Sequence, residues 1–336
     1  MKSPPKKRWS WRSRTARGLI YQGLAVLLIG LLFWFLAHNT ARNMTVRGIQ
    51  SGFDFLAQTA GFDIGESLFA FDSEQPYWRA FLVGLVNTIR VAALGIILTT
   101  VIGTLIGIGR LARNLLVRSL CGAYVEFFRN VPILLQLLMW YLLFTEILPA
   151  ADAAWRLNTW LGPVFLSKGG LNFPAPVATE TGWEISLPIQ GEFAVEHGGA
   201  LTPEFLALLL GLTIYTAAFV AEVVRAGIQS VPRGQTEAAS ALGLSRAHSM
   251  RLILLPQALR VIIPPMTNQY LNLTKNSSLA VAIGYPDVVS IANTAINQSG
   301  RAVECIAIIM LIYLSTSLLT SVLMNWYNAK AAIRER

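Results

Sequence analysis

The sequence predicts an all-α integral membrane protein of about six transmembrane helices, with an extracytoplasmic insertion. Three observations predict it. Apolar residues make up 54% of the 336 and charged ones 13%, about half the ~25% charged fraction of a soluble domain. Apolar runs at 18–37, 80–109, 131–148, 204–224 and 303–327 are near the ~20 residues that cross ~30 Å of hydrocarbon, and a sixth region, 260–290, is apolar in pieces. Charge is also asymmetric along the chain. Basic residues crowd the N-terminal tail (Lys2, Lys6, Lys7, Arg8, Arg12, Arg14, Arg17), the connector with Arg110, Arg113 and Arg118, the segment with Arg233, Arg246 and Arg251, and the end at Lys330, Arg334 and Arg336. Acids crowd 38–79 and 149–203.

Positive charge marks the cytoplasmic side. Both termini and the segments after the second and fourth runs are therefore expected inside, in a single membrane domain. The net charge of +9 reads as an orientation signal rather than a nucleic-acid footprint, because the basic tail abuts a span.

The expected organisation begins with a basic cytoplasmic tail (1–17) and an N-terminal anchor span (18–37). A secretory signal peptide is the competing reading of that span. Its apolar run exceeds the 7–15 residues of such signals, and His38-Asn39-Thr40-Ala41 is a poor cleavage site. An extracytoplasmic segment (38–79) interleaves Phe53, Phe55, Phe62, Phe69 and Phe71 with acids, suiting it to lie on the membrane or to cap the bundle. The transmembrane domain (80–328) follows, and 329–336 is a cytoplasmic tail.

Gly95, Gly103 and Gly107 in the 80–109 run, two of them a Gly-x-x-x-Gly pair, predict close backbone approach by another helix. Glu126 and Arg129 are spaced to pair on one helix face. Pro132 starts or kinks the third span, making an interfacial elbow. The insertion at 149–203, rich in Gly and Pro with strand-like pieces such as 183–189, is too short for a good core of its own.

Because 225–259 and the C-terminus are both expected inside, an even number of crossings separates them; 303–327 is one, so 260–290 must be the other. Pro264, Pro265, Gly284 and Pro286 argue against one straight helix. Asn268, Gln269, Asn272, Thr274, Lys275, Asn276, Ser277 and Ser278 are costly in lipid unless they face protein or water. A broken polar span lining a pathway is one reading, and a helix glued to its neighbours through side-chain amides is the other.

The cytoplasmic loop 229–258 is the most distinctive stretch. Glu237 to Leu242 are helix formers ending at Gly243, which suits a left-handed stop. Ser245 is a good N-cap for a second helix expected to end at Pro256. The result is an L-shaped projection. Ala238, Ala239 and Ala241 keep its first arm slim, and Glu237, Arg246 and Arg251 supply rim charges. Catalytic constellations are missing from the sequence: no phosphate-binding Gly-x-x-x-x-Gly-Lys loop, no nucleophile elbow, no zinc-protease motif. Cys121 and Cys305, and His38, His197 and His248, have no ligand spacing.

Glu237-Ala238-Ala239, with Gly243 and Ile253-x-Leu255-Pro256, resembles the Glu-Ala-Ala loop of ATP-binding-cassette importer permeases. The stretches 215–235 (Tyr-Thr-Ala-Ala-Phe-Val-Ala-Glu-Val-Val-Arg-Ala-Gly-Ile-Gln-Ser-Val-Pro-Arg-Gly-Gln), 127–136 (Phe-Phe-Arg-Asn-Val-Pro-Ile-Leu-Leu-Gln) and 272–279 (Asn-Leu-Thr-Lys-Asn-Ser-Ser-Leu) resemble its polar amino-acid branch. The first span and the long insertion look more like general L-amino-acid uptake permeases of Gram-negative bacteria. The resemblance covers about 78–328. It implies a five-helix type I permease core plus one extra N-terminal span in the bacterial inner membrane.

It also implies an importer of L-amino acids by alternating access, with no catalytic residue and no cofactor bound by this chain. ATP and Mg would be held by separate ATP-binding cassette ATPase subunits. The other partners implied are a second permease subunit, expected to be a paralogue, and a periplasmic amino-acid-binding protein. The resemblance assigns Glu237, Ala238, Ala239, Gly243, Arg246 and Pro256 to ATPase coupling. Asn272, Thr274, Asn276 and Ser277 are nominated for the substrate path, with Lys275 as a partner for a carboxylate. An ion-coupled secondary transporter or channel is the alternative, with Glu222 as its one candidate carboxylate, unless Glu222 and Arg225 form a structural pair. A membrane scaffold is the other.

Overall fold

The computed structural model describes residues 14–46, 48, 51–179 and 182–331. The basic residues from Lys2 to Arg12, with Arg334 and Arg336, on which the expected orientation rests, lie outside the described residues.

The helices are α1 (Arg14–Val46), α2 (Tyr77–Gly109), α3 (Leu115–Asn130), α4 (Ile133–Leu142), α5 (Pro203–Gln229), α6 (Arg233–Ala241), α7 (Arg246–Ser249), α8 (Leu255–Asn276), α9 (Val288–Ser299) and α10 (Ala302–Ala331). Among the described residues four helices are long and apolar enough to cross a membrane, and six crossings result if two bent helix pairs each count as one. Most runs lengthen relative to expectation. The anchor reaches from 14 to 46 rather than 18 to 37, because the polar Arg42-Asn43 end still satisfies its backbone in helix. Its apolar stretch has no buried residue, so α1 stands at the flank of the bundle.

The core is the contact of α2 with α5, and the glycines make it. A Cβ on Gly103 would lie 2.6 Å from Val220 Cγ1 and 2.9 Å from the Ala217 carbonyl oxygen, and one on Gly107 would lie 2.7 Å from the Ala221 oxygen. Only hydrogen fits at such separations, as the close-approach reading expects. Thr99 donates to the Thr213 carbonyl at 3.1 Å across the same seam. Gly95 receives Leu273 of α8 in the same manner, with a Cβ 3.2 Å from Leu273 Cδ2.

The α3–α4 pair is bent. Asn114 caps α3, accepting from Leu116 and Val117 N–H. Pro132 then caps α4, turned 103° from α3. A one-turn π-helix, Leu143–Ile147, continues it outward. The elbow at Pro132 is therefore where the sequence places it. Glu126 and Arg129 do not pair: the Arg129 guanidinium lies 5.1 Å above the Phe219 ring instead.

The region 260–290 breaks, but not at Pro264 and Pro265, which lie inside a continuous α8. The break falls later. Residues Ser277–Ile283 tighten to a 3₁₀ helix ending at Gly284, φ 78°, a conformation only glycine adopts without strain. Asp287 starts α9 by accepting the Ser290 N–H at 2.8 Å, and Tyr313 of α10 donates to its second oxygen at 3.2 Å. The two halves meet at 48°. A left-handed stop followed by an N-cap restarts a helix in a new direction with its end groups satisfied.

The segment after α1 caps the bundle. Phe55 packs edge-on to Tyr77, Arg301 reaches Asp54 at 3.0 Å, and Arg90 of α2 binds Glu66 at 2.6 Å. Asn87 donates to the Glu66 carbonyl at 2.8 Å and to the Pro286 carbonyl at 3.0 Å. The insertion is a β structure: β1 (Trp155–Thr159), β2 (Gly162–Ser167), β3 (Gly170–Phe173), β4 (Ala175–Thr179), β5 (Gly182–Ser186), β6 (Ile189–Gln190), β7 (Val195–Glu196) and β8 (Gly199–Leu201). Antiparallel β1-β2-β3-β8 form one sheet, with β4-β5 and β6-β7 as hairpins. Phe165 is buried there, while Trp160 and Phe193 are about 90% exposed at 90% and 91%. The fold is thus a helical membrane domain with one β insertion between α4 and α5.

Candidate functional site

The projection after α5 has the expected L shape. In α6 the helix ends in a Schellman arrangement: Gly243 N–H donates to the Ser240 carbonyl at 3.0 Å and Leu244 N–H to the Ala239 carbonyl at 3.1 Å. Gly243 has φ 73°, the left-handed state this motif requires. Ser245 caps the next arm, with its hydroxyl 2.8 Å from His248 Nδ1. Glu237, Ala238, Gly243 and Arg246 are exposed, and Leu242 is 79% exposed. Ala239 is 1% exposed: it fills the inner corner of the L, where a larger side chain would push α6 away.

One expectation is corrected. Pro256 does not end the second arm. After α7 the chain makes a π turn, Met250–Leu254, closed by Leu255 N–H on the Met250 carbonyl, and runs directly into α8. Pro256 lies in the first turn of α8. A proline inside a helix lacks a donor and clashes with the carbonyl four residues back. Widening that turn to π spacing accommodates both, so projection and span form one continuous rod.

Higher in that rod, the nominated polar residues divide. Asn272 and Asn276 line a cavity of about 260 Å³ together with Gln269 and, from α5, Tyr215, Thr216 and Phe219. Thr274 and Ser277 are not part of it. They are 4% and 1% exposed, and their hydroxyls donate back to the Tyr270 carbonyl at 3.0 Å and the Thr274 carbonyl at 2.7 Å. Lys275 is exposed on the adjoining face. The cavity offers side-chain amides, a phenol hydroxyl and an aromatic wall. The Arg129 guanidinium over Phe219 brings a cation to its edge. Tyr215, Phe219 and Arg129 were not singled out as path residues from the sequence. The only signal was that each lies in a stretch chosen for its resemblance.

Glu222 is held by two arginines, Arg225 of its own helix and Arg110 at the end of α2, and Arg225 also reaches Gln229 at 2.6 Å. A carboxylate clamped between two guanidiniums is a poor carrier of a coupling ion. The structural reading of Glu222 and Arg225 gains a third member that sequence spacing could not reveal.

Comparisons with known proteins agree with this geometry. The family described as binding-protein-dependent transport system inner membrane component matches residues 95–332. The general L-amino acid transport system permease protein AapQ of Rhizobium johnstonii is 42% identical, over 98% of this chain and 96% of its own length. The putative amino-acid ABC transporter permease protein YhdX of Escherichia coli is 42% identical over 100% and 99%. The glutamate/glutamine/aspartate/asparagine transport system permease protein BztB of Rhodobacter capsulatus is 35% identical over 93% of each. Among solved structures, an amino acid ABC transporter with histidines matches with a TM-score of 0.56 at 25% identity, over 76% of this chain and 95% of that one. An inward-facing MetNI methionine ABC transporter shares the fold, with a TM-score of 0.53 at 17% identity over 76% and 97%.

Proposed function

The chain belongs to the binding-protein-dependent transport system inner membrane component family, making it a transport subunit of the inner membrane rather than an enzyme, and from that premise we propose that it imports L-amino acids. Relatives along nearly the whole chain carry amino-acid transport in their names. The observation that carries the reading is the continuity of the exposed Glu237–Leu244 corner, through α7 and the π turn, with the helix bearing Asn272 and Asn276.

In this reading the corner enters a groove on a separate ATP-binding cassette ATPase, which holds ATP and Mg. Ala238 lies against the groove, Glu237 and Arg246 set register, and Gly243 holds the angle between the arms. Closure of the ATPase pair then tilts the rod and switches access to the cavity between the two sides. A nucleotide state can shift the bundle only if it favours one packing over the other. The amides of Asn272, Asn276 and Gln269 receive the amino and carboxylate groups of the substrate, and Arg129 or Lys275 neutralises the carboxylate. Both termini are cytoplasmic. A second permease, most simply a paralogue, completes the pair, and a periplasmic binding protein delivers the amino acid to the outer face.

The test is purification of the chain from membranes with its natural partners, followed by ATPase assays with and without binding protein loaded with single L-amino acids. Stimulation by loaded binding protein is the expected result. Solute movement in liposomes by a chain that copurifies with no ATPase would overturn it.

A further inference from the structure

The groove between α1 and the outer end of α10 has a property the transport mechanism does not use. On α1, Phe33, Leu36, Ala37, Ala41 and Met44 follow helical spacing along one stripe and face Val303 and Glu304 of α10, enclosing about 640 Å³. Glu304 is 5% exposed. Its Oε1 accepts the Gly52 N–H at 2.7 Å, but its Oε2 is buried with no hydrogen-bond partner. A buried carboxylate oxygen without a donor is costly, and among the described residues no cation donates to this one. The neighbouring Arg301–Asp54 pair is neutral, which leaves Glu304 as the net charge of this cluster among the described residues.

We propose that this groove binds an aminophospholipid, with its primary ammonium donating to Glu304 Oε2 and one acyl chain lying along α1. Three features select that occupant. The apolar stretches of α1 and α10 have no buried residue, so nothing in this chain covers the flanks of the groove and they suit a lipid medium. The carboxylate lies at the first turn of α10 beside the capping segment, the depth of headgroups. From Phe33 to Met44 the stripe runs about 17 Å at 1.5 Å per residue, a length suited to an acyl chain. A choline headgroup has no N–H to donate, and an anionic headgroup is repelled. A primary ammonium makes a charge-assisted hydrogen bond there.

The test uses the complete transporter, extracted from membranes with equal phosphatidylethanolamine, phosphatidylcholine and phosphatidylglycerol, and native mass spectrometry of the lipid each chain retains. Wild type should retain phosphatidylethanolamine over phosphatidylcholine by about five-fold or more. Glu304→Gln, which keeps the shape, should abolish the preference, and Ala41→Trp should lower total retention with the carboxylate intact. Equal retention of the three lipids by wild type, or an unchanged preference in Glu304→Gln, would overturn the proposal. So would displacement of the lipid by free ethanolamine, which would assign the site to a soluble amine.

Discussion

Arg90 of α2 and Glu66 of the capping segment form an ion pair at 2.6 Å, and the Thr202 hydroxyl at the start of α5 donates to the other carboxylate oxygen. One buried carboxylate thus joins the capping segment to two spans. Arg90 also lies 4.2 Å over the Phe205 ring. Removing one member of a buried pair costs about 3–5 kcal/mol, because the survivor is left uncompensated. Glu66→Ala should lower the thermal midpoint of the purified complex clearly more than Glu74→Ala, whose side chain lies on the exposed turn.

Gly103 tests the α2–α5 seam. With Val220 Cγ1 only 2.6 Å from a Cβ at that position, Gly103→Val should overpack the core by about 1–3 kcal/mol. Gly122→Ala, which meets nothing within 4 Å, should be neutral or slightly stabilising. Thermal unfolding of both variants, followed by scattering-free fluorescence, separates the two.

At Gly243 the backbone has φ 73°. A β-branched residue there is strained by about 1–2 kcal/mol and opens the corner of the L. Gly243→Val is expected to leave basal ATP hydrolysis in place while transport and its stimulation by binding protein fall together. Normal transport by this variant would refute the corner's role.

The Arg110–Glu222–Arg225 cluster should matter for stability and not for energy coupling. Glu222→Gln is expected to lower the unfolding midpoint while uptake stays ATP-dependent. Imposed proton or sodium gradients should drive no uptake in liposomes with either protein.

For the polar cavity, Asn276→Ala should raise the KM for transport by about ten-fold, the worth of one to two hydrogen bonds. Thr274→Val, whose hydroxyl only returns to its own helix, should change KM little. Initial uptake rates across substrate concentrations distinguish the two residues.

The spans and the corner at Gly243 were legible because each rests on local chemistry: an apolar run of sufficient length, a helix former followed by glycine, a serine N-cap. Long-range partners were not. Nothing near Glu222 in sequence announces Arg110, and the acids of 38–79 do not reveal that Glu66 enters the bundle. Pro256 and the Pro264-Pro265 pair misled for one reason. Each is a helix breaker by local rule, yet packing and a π turn let the helix continue. The division among the nominated path residues was hidden too, since Thr274 and Asn276 are equally polar on paper and differ only in which side of α8 they occupy.

The unbroken rod from Arg246 to Asn276 has a mechanical consequence. At 1.5 Å per residue it is about 45 Å long, so a tilt of about 10° pivoting at one end swings the other by about 8 Å. With no joint between those residues to absorb the turn, a small rotation imposed at the Gly243 corner arrives at the cavity as a displacement wider than an amino-acid side chain. On the proposed mechanism, no relay of intermediate contacts is required along that path. Stiffness alone acts as its gearing.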